Sequence, residues 1–96
     1  MDGTTEVAGR RDLTDHRVLA FAIPEALAPY LVEKGSITVD GVSLTVSALA
    51  LDRFEVALIP HTLEVTTLSV LRPGDRVNLE VDVMAKYVER LVGRTA

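Results

Sequence analysis

Residues 35–46 read Gly-Ser-Ile-Thr-Val-Asp-Gly-Val-Ser-Leu-Thr-Val, and apolar and polar residues alternate on both sides of the Asp-Gly pair. An Asp-Gly pair between two alternating runs is the strongest short-range signal for a two-residue β-hairpin, because a type I′ turn needs positive φ at both central positions. With Asp40 and Gly41 at those positions, the register of the two strands is defined. It pairs Ser36 with Thr45, Ile37 with Leu44, Thr38 with Ser43 and Val39 with Val42.

Directly paired residues lie on the same face of a sheet, so this register gives the hairpin one apolar face and one polar face. The polar side, which we call the hydroxyl face, consists of Ser36, Thr38, Ser43 and Thr45. Two interpretations of it stay open. It could be the solvated outer face of a sheet, where threonine is favoured by its β-propensity, or a polar wall for a small ligand rich in hydrogen-bonding groups.

The composition limits the possible functions. A length of 96 residues with 48% hydrophobic residues indicates one domain with a single core. The net charge of −4 argues against a nucleic-acid partner, which normally needs a basic face. No apolar run approaches the ~20 residues that cross a bilayer, and the first ten residues lack a signal-peptide core. The absence of cysteine excludes disulfides and thiolate catalysis, and we expect a cytoplasmic protein without a membrane partner.

Four further strands are predicted from alternating or continuously apolar segments at residues 3–11, 16–23, 54–59 and 76–82. The second strand of the hairpin is expected to continue to Leu49. Residues 72–75, Arg-Pro-Gly-Asp, are typical of a type II turn. Six short antiparallel strands in so small a chain favour an all-β fold, a closed six-stranded Greek-key barrel without exposed edges.

Short helices and a carboxy-terminal α-helix complete the predicted fold. Pro24 opens a helix over 25–32 that Pro29 makes kinked or 3₁₀-like, and Lys34-Gly35 is expected to end it. After Asp82, which is placed to cap the last helix, the apolar period changes to that of a helix. We expect one domain over 1–96, with the barrel over about 1–82 and the terminal helix over about 83–93. The apolar positions of that helix, which we call the helix stripe, are Met84, Tyr87, Val88 and Leu91.

The residues alone do not assign a reaction. His16 and His61 are the only imidazoles and lack neighbours at metal-ligand spacing, so no metal site is predicted. Ser43 has no base placed beside it, and Asp82 has an adequate structural role as a helix cap. The hydroxyls and carboxylates around the barrel, with one cation at Lys34, suit a neutral polyhydroxylated ligand better than a phosphate.

Three linked segments resemble riboflavin synthase of the alpha-chain type. They are residues 35–46, Phe54-Glu-Val-Ala-Leu-Ile-Pro-His-Thr-Leu-Glu-Val-Thr-Thr-Leu68 and Gly74-Asp-Arg-Val-Asn-Leu-Glu-Val-Asp82. Their order and spacing match over about residues 3–92, and the ending Ala85-Lys-Tyr-Val-Glu-Arg-Leu91 strengthens the match. The chain resembles the carboxy-terminal one of the family's two barrels, and we expect it to be that barrel in isolation.

The resemblance implies a transferase of riboflavin biosynthesis that works without a cofactor. Two molecules of 6,7-dimethyl-8-ribityllumazine dismutate, and one donates a four-carbon unit to the other to give riboflavin. In the family each barrel holds one lumazine, and the active site forms between two barrels of different subunits. The implied partners are therefore the ligand and either the amino-terminal barrel of the full enzyme or a second copy of this chain. A homo-oligomer, dimer or trimer, is expected through the terminal helices.

Carried onto this chain, the resemblance marks Ser43 and Asp82 as candidate catalytic residues. The implied ligand contacts are Lys34, Gly35, Ser43, Thr45, Ile59, Pro60, Thr62 and Thr67. The hydroxyl face would then be a ligand wall. The alternative is a flavin- or lumazine-binding protein without catalysis.

Overall fold

A computed structural model of the chain describes residues 2–60, 62 and 66–95. Its strands are β1 Gly3–Asp12, β2 Arg17–Ala22, β3 Ser36–Val39, β4 Val42–Leu49, β5 Arg53–Leu58 and β6 Arg76–Val81. Two 3₁₀ helices span Glu25–Tyr30 and Thr67–Val70, and an α-helix, α1, spans Val83–Thr95.

The six strands close into an antiparallel barrel in the order β1-β2-β5-β4-β3-β6. β3, β4 and β5 follow one another as hairpins, while β2 lies beside β5 and β6 pairs with both β1 and β3. This is a Greek-key arrangement, and it leaves no sheet edge open. The all-β fold class predicted from the sequence is confirmed.

The hairpin of β3 and β4 has the predicted register at all four pairs of residues. Asp40 and Gly41 have φ of 48° and 83°, as a type I′ turn requires. Ile37 and Val39 are completely buried, so the apolar face points into the barrel. The turn is also tied to β6, because the backbone N–H of Asn78 donates to Asp40 Oδ1 at 2.7 Å.

The core fills the barrel between the strands. The rings of Phe21 and Phe54 stack there with centroids 5.2 Å apart. Residues 18–21 of β2 are all buried, which explains why that strand has no polar face in its sequence. Burial on both sides of a strand needs apolar residues at successive positions rather than alternation.

The segment before β3 differs from its predicted form. The first helix is 3₁₀, as Pro29 within it indicated, but it ends at Tyr30 rather than at Lys34-Gly35. Lys34, not Gly35, has the left-handed conformation, with φ of 69°. An added Cβ at position 35 would lie 2.5 Å from Val32 Cγ2 and 3.1 Å from the carbonyl oxygen of Val32, so a larger residue would require Val32 to shift.

Helix α1 begins at the predicted cap. The backbone N–H of Met84 donates to Asp82 Oδ1 at 3.0 Å. The side chains of the helix stripe are between 51% and 65% exposed, so the helix does not plug the end of the barrel. Among the described residues, no helix has both the length and the apolar character to span a membrane.

The Asp40-Gly41 turn makes a testable contribution to stability. Gly41→Ala should lower the free energy of unfolding by about 1 kcal/mol, because a side chain at this φ is strained. Gly9→Ala is the matched control, since its added Cβ would meet only Ala20 Cβ at an ordinary 3.8 Å. Urea denaturation of both variants measures the difference, and equal stabilities would contradict the assigned turn.

Candidate functional site

An open cleft of about 600 Å³ lies on the outside of the barrel, where β3 and β6 meet the start of α1. The residues around it come from the amino-terminal end, both strands of the hairpin, β6 and the first turns of α1. They are Asp2, Ser36, Ile37, Thr38, Ser43, Glu80, Val81, Asp82, Val83 and Lys86.

Strand register determines which polar groups face this cleft. Thr38 lies opposite Ser43 on one side and opposite Glu80 on the other, so these three residues form one row across β4, β3 and β6. Ser36 lies two residues before Thr38, and Asp82 lies two residues after Glu80. Because Ile37 pairs with Val81 between them, Ser36 and Asp82 lie beside each other beyond this row. Since strand residues alternate between faces, the polar rows lie outside while the apolar residues between them build the core.

Asp82 is held at the junction of β6 and α1. Its Oδ1 accepts the backbone N–H of Met84, and its carbonyl accepts the backbone N–H of Lys86 at 3.2 Å. The cap therefore fixes the position of a carboxylate beside the hydroxyl face. The structural role and a chemical role of Asp82 are compatible, because a carboxylate has two oxygens with several acceptor sites.

Asp2 joins three elements at the same cleft. Its backbone N–H donates to the carbonyl of Leu79 at 2.8 Å, and its Oδ2 accepts the backbone N–H of Val81 at 2.9 Å. Its Oδ1 accepts the ammonium of Lys86 on α1. The hydrogen bond from Lys86, followed by that from Val81, holds the pKa of the Asp2 carboxyl below its ordinary value.

The structure brings Ser43 and Asp82, the two candidate catalytic residues, to one cleft. Lys34, Gly35 and Thr45 are neighbours of this cleft and do not line it. The backbone N–H of Lys34 donates to the carbonyl of Val46 at 2.7 Å, and the carbonyl of Gly35 accepts the backbone N–H of Val46 at 2.8 Å. This pairing places the turn before β3 against β4, next to Thr45.

Ile59, Pro60 and Thr62 do not line this cleft. Ile59 is exposed directly after β5, and Pro60 lines a separate cleft of about 300 Å³ beside residues 12–17. The carbonyl of Thr62 accepts the hydroxyl of Thr66 at 2.7 Å. Thr67 begins the second 3₁₀ helix, and its side chain is outside the described part of the structure.

The histidines take no part in this cleft within the described part of the chain. His16 Nδ1 lies 2.6 Å from Asp15 Oδ1 in the turn between β1 and β2. His61 lies outside the described residues. Among the residues that are described, no group of three or more His, Asp or Glu side chains could hold a metal ion.

Sequence reasoning missed Asp2, Glu80 and Lys86. Lys86 follows Asp82 by four residues on a predicted helix, so its position near Asp82 had a recognisable signal. Glu80 lies on β6 two residues before Asp82, which directly follows the strand, and both line the cleft. Asp2 had no local signal, because its place depends on the pairing of the first strand with the last.

Comparisons with known proteins agree with this architecture. The lumazine binding domain family matches residues 1–82. Riboflavin synthase of Mycobacterium bovis is 54% identical over 95 residues, which cover 96% of this chain and 47% of that protein. Riboflavin synthase of Bacillus subtilis is 39% identical, and the match covers 43% of it. The chain thus spans about half the length of the curated relatives it matches.

A solved structure shows the same fold at lower identity. The crystal structure of LumP complexed with riboflavin has a TM-score of 0.81 at 23% identity, over 86% of this chain and 45% of that one. The same protein has been solved in complex with flavin mononucleotide.

The bond between Asp2 and Lys86 predicts a pH dependence. A carboxyl whose pKa is lowered by folding stabilises the protein above its unfolded pKa of about 4, and this contribution is lost as the pH falls through the lower folded pKa. Asp2→Asn should therefore reduce the free energy of unfolding at neutral pH, and its difference from the wild type should vanish in strong acid.

Glu33→Gln is the control for this measurement, because Glu33 is an exposed residue outside the cleft and the net charge changes equally. Asp12 and Asp15 also have lowered pKa values, through bonds to Arg10 and His16, but both are present in each variant and cancel in the comparison. Urea denaturation of the wild type and both variants, at a series of pH values from neutral to strongly acidic, measures the differences in the free energy of unfolding. A difference between Asp2→Asn and the wild type that does not change with pH would contradict the assigned ion pair.

Proposed function

This chain belongs to the lumazine binding domain family, and we propose that it binds 6,7-dimethyl-8-ribityllumazine and riboflavin at the hydroxyl face. The site is half of an active site for the dismutation of lumazine to riboflavin. The residues that carry it are Ser43 and Asp82, with Ser36 and Thr38 beside them.

The observation that carries this proposal is the meeting of the hydroxyl face with Asp82 in one cleft. A ribityl chain and a pteridine-like ring together present many hydrogen-bond donors and acceptors and no net charge. Hydroxyl groups can both donate and accept, and a carboxylate can accept, so the chemistry of the cleft matches such a ligand. A volume of about 600 Å³ is within the range of small-molecule sites.

Holding two lumazines in the correct relative orientation supplies much of the catalysis, because a bimolecular step becomes effectively unimolecular. The four-carbon unit leaves one lumazine and completes the ring of the other, so two substrates give one riboflavin and one 5-amino-6-ribitylaminouracil without an external oxidant. Proton transfers accompany the deprotonation of the acidic methyl group and the ring opening. We expect Asp82 to accept a proton and Ser43 to donate and accept hydrogen bonds, since both side chains line the cleft.

The other half of the active site comes from a second barrel. It is either the amino-terminal barrel of a full-length enzyme or another copy of this chain. The length of the curated relatives supports the first, since this chain spans about half of each. The exposed helix stripe supports association into a dimer or trimer, because a contiguous apolar surface of this kind is typical of a protein interface. A cytoplasmic location stays a prediction.

The second candidate function is a flavin or lumazine carrier that does not catalyse a reaction. This alternative is supported by the shared fold alone: LumP, which is 23% identical to this chain, has been solved with riboflavin and with flavin mononucleotide. Both functions use the same cleft, and they differ in whether Asp82 and Ser43 act on the ligand or only hold it.

Fluorescence titration with riboflavin and with 6,7-dimethyl-8-ribityllumazine tests the binding site. Ser43→Ala should weaken binding about fivefold, because one hydrogen bond contributes on the order of 1 kcal/mol. Ser47→Ala is the matched control, since Ser47 lies on the same strand and its hydroxyl donates to the carbonyl of Glu55 outside the cleft. Equal affinities of the two variants would contradict the proposal that the ligand binds at the hydroxyl face.

A riboflavin-production assay on the same samples separates the two functions. Asp82→Asn keeps a good helix cap and removes the charge, so the fold should be kept. In a sample that turns over, either alone or mixed with an amino-terminal barrel, this variant should lose most of the activity and keep most of the affinity. A wild type that binds ligand and produces no riboflavin with any partner barrel would favour the carrier.

Light scattering tests the role of the helix stripe. The wild-type chain should have the mass of a dimer or trimer, and Leu91→Glu should shift it to the monomer, because a carboxylate in an apolar interface costs several kcal/mol. Arg90→Glu is the control on the same helix, adjacent in sequence and outside the stripe. A monomeric wild type would contradict the proposed association.

A further inference from the structure

The single ammonium among the described residues that line the cleft belongs to Lys86. Its Nζ donates to Asp2 Oδ1. The Lys86 side chain is 45% exposed and that of Asp2 is 22% exposed, so the pair lies at the edge of the cleft in contact with solvent. An ammonium in this position would otherwise be available to an anionic ligand.

Asp2 is itself firmly positioned. Its Oδ2 accepts the backbone N–H of Val81, and its own backbone N–H donates to Leu79, so the carboxylate is fixed to β6. Lys86 reaches it from the second turn of α1. The strand therefore presents a carboxylate to the helix in a defined place, and the ammonium is drawn toward it.

The charge of the cleft follows from this arrangement. Among the described residues of the lining, Lys86 carries the one ammonium, which Asp2 already pairs, and the carboxylate of Asp82 adds a further negative charge. A phosphate monoester carries about −1.5 to −2 charges at neutral pH. Such a group would meet an excess of like charge, whereas an uncharged hydroxyl at the same place would meet hydrogen-bond acceptors.

We propose that Asp2 is a specificity-determining residue, which holds Lys86 and thereby makes the cleft select uncharged ribityl compounds over their phosphate monoesters. This inference rests on the proposed function, because it assumes that a ribityl ligand occupies the cleft. Asp2 need not contact the ligand: it affects the choice of ligand by pairing the positive charge of Lys86.

Asp2→Asn tests the inference with little change of shape. An asparagine side-chain oxygen can still accept the Val81 N–H, while the neutral amide no longer holds the ammonium. Lys86 then becomes a compact cation able to bind phosphate. Glu6→Gln is the matched control, because it makes the same change in net charge on β1, where Glu6 lies 3.6 Å from Arg76 and outside the cleft.

The measurement is the ratio of dissociation constants for flavin mononucleotide and riboflavin, obtained by fluorescence titration. The wild type should prefer riboflavin, and Asp2→Asn should reduce that preference about tenfold, the order of magnitude for one charge close to a phosphate. Glu6→Gln should leave the ratio near that of the wild type. The double variant Asp2→Asn with Lys86→Gln should recover most of the preference. A loss of stability alone would weaken both ligands equally, so the ratio is insensitive to it.

Three results would overturn the inference. They are equal affinity of the wild type for both flavins, an unchanged ratio in Asp2→Asn, and a reduced preference that persists in the double variant. Failure of the wild type to bind either flavin or the lumazine would instead overturn the proposed function.

If the wild type binds neither flavin nor lumazine, inorganic phosphate can still test whether Asp2 keeps Lys86 from binding an anion. Inorganic phosphate is titrated against the wild type and Asp2→Asn, and the amide NMR signals of Val83 and Lys86 are followed. A phosphate-dependent shift confined to Asp2→Asn would support the masking of Lys86. The same response in both proteins would overturn it.

Discussion

The two-residue turn at Asp40 and Gly41 sets the register of the hairpin of β3 and β4, and both the core and the candidate site follow from that register. Both residues have positive φ, which fixes the pairing of β3 with β4 to one register. A shift by one residue would turn the hydroxyl face into the core and the apolar face into solvent. That change would bury hydroxyl groups without partners and expose aliphatic side chains. The geometry of the turn and the burial of apolar side chains therefore favour the same register.

Closure of the barrel brings polar residues of β3, β4 and β6 together at the candidate site. β3 pairs with β6 on its other side, which extends the row of Ser43 and Thr38 to Glu80 and brings Asp82 next to Ser36. The alternate residues of β6, Val77, Leu79 and Val81, face the other way and complete the core. The helix cap at Asp82 then ends the strand and begins α1 at the cleft. One carboxylate thus terminates a strand, caps a helix and borders the candidate ligand site.

Local sequence patterns predicted most of the fold and part of the site. The hairpin, the type II turn at 72–75 and the cap of α1 depend on short-range chemistry, and each was predicted from neighbouring residues. Asp2 could not be predicted, because it reaches the cleft through the pairing of β1 with β6, far apart in sequence. Pro60, which the family resemblance implies as a ligand contact, lines the cleft at the turn between β1 and β2, and its role stays a prediction. Lys34 was expected to lie in a helix end, and its left-handed conformation instead serves the pairing with Val46.

We propose that the ligand lies on the outside of the barrel, across the hydroxyl face, and not inside the barrel or at another cleft. Intermolecular NMR contacts between bound 6,7-dimethyl-8-ribityllumazine and the protein test it most directly. We expect contacts to Thr38, Ser43 and the residues around Asp82, and we expect the amides on the opposite side of the barrel to be unaffected. Contacts confined to the cleft formed by residues 12–17 and Pro60 would contradict it.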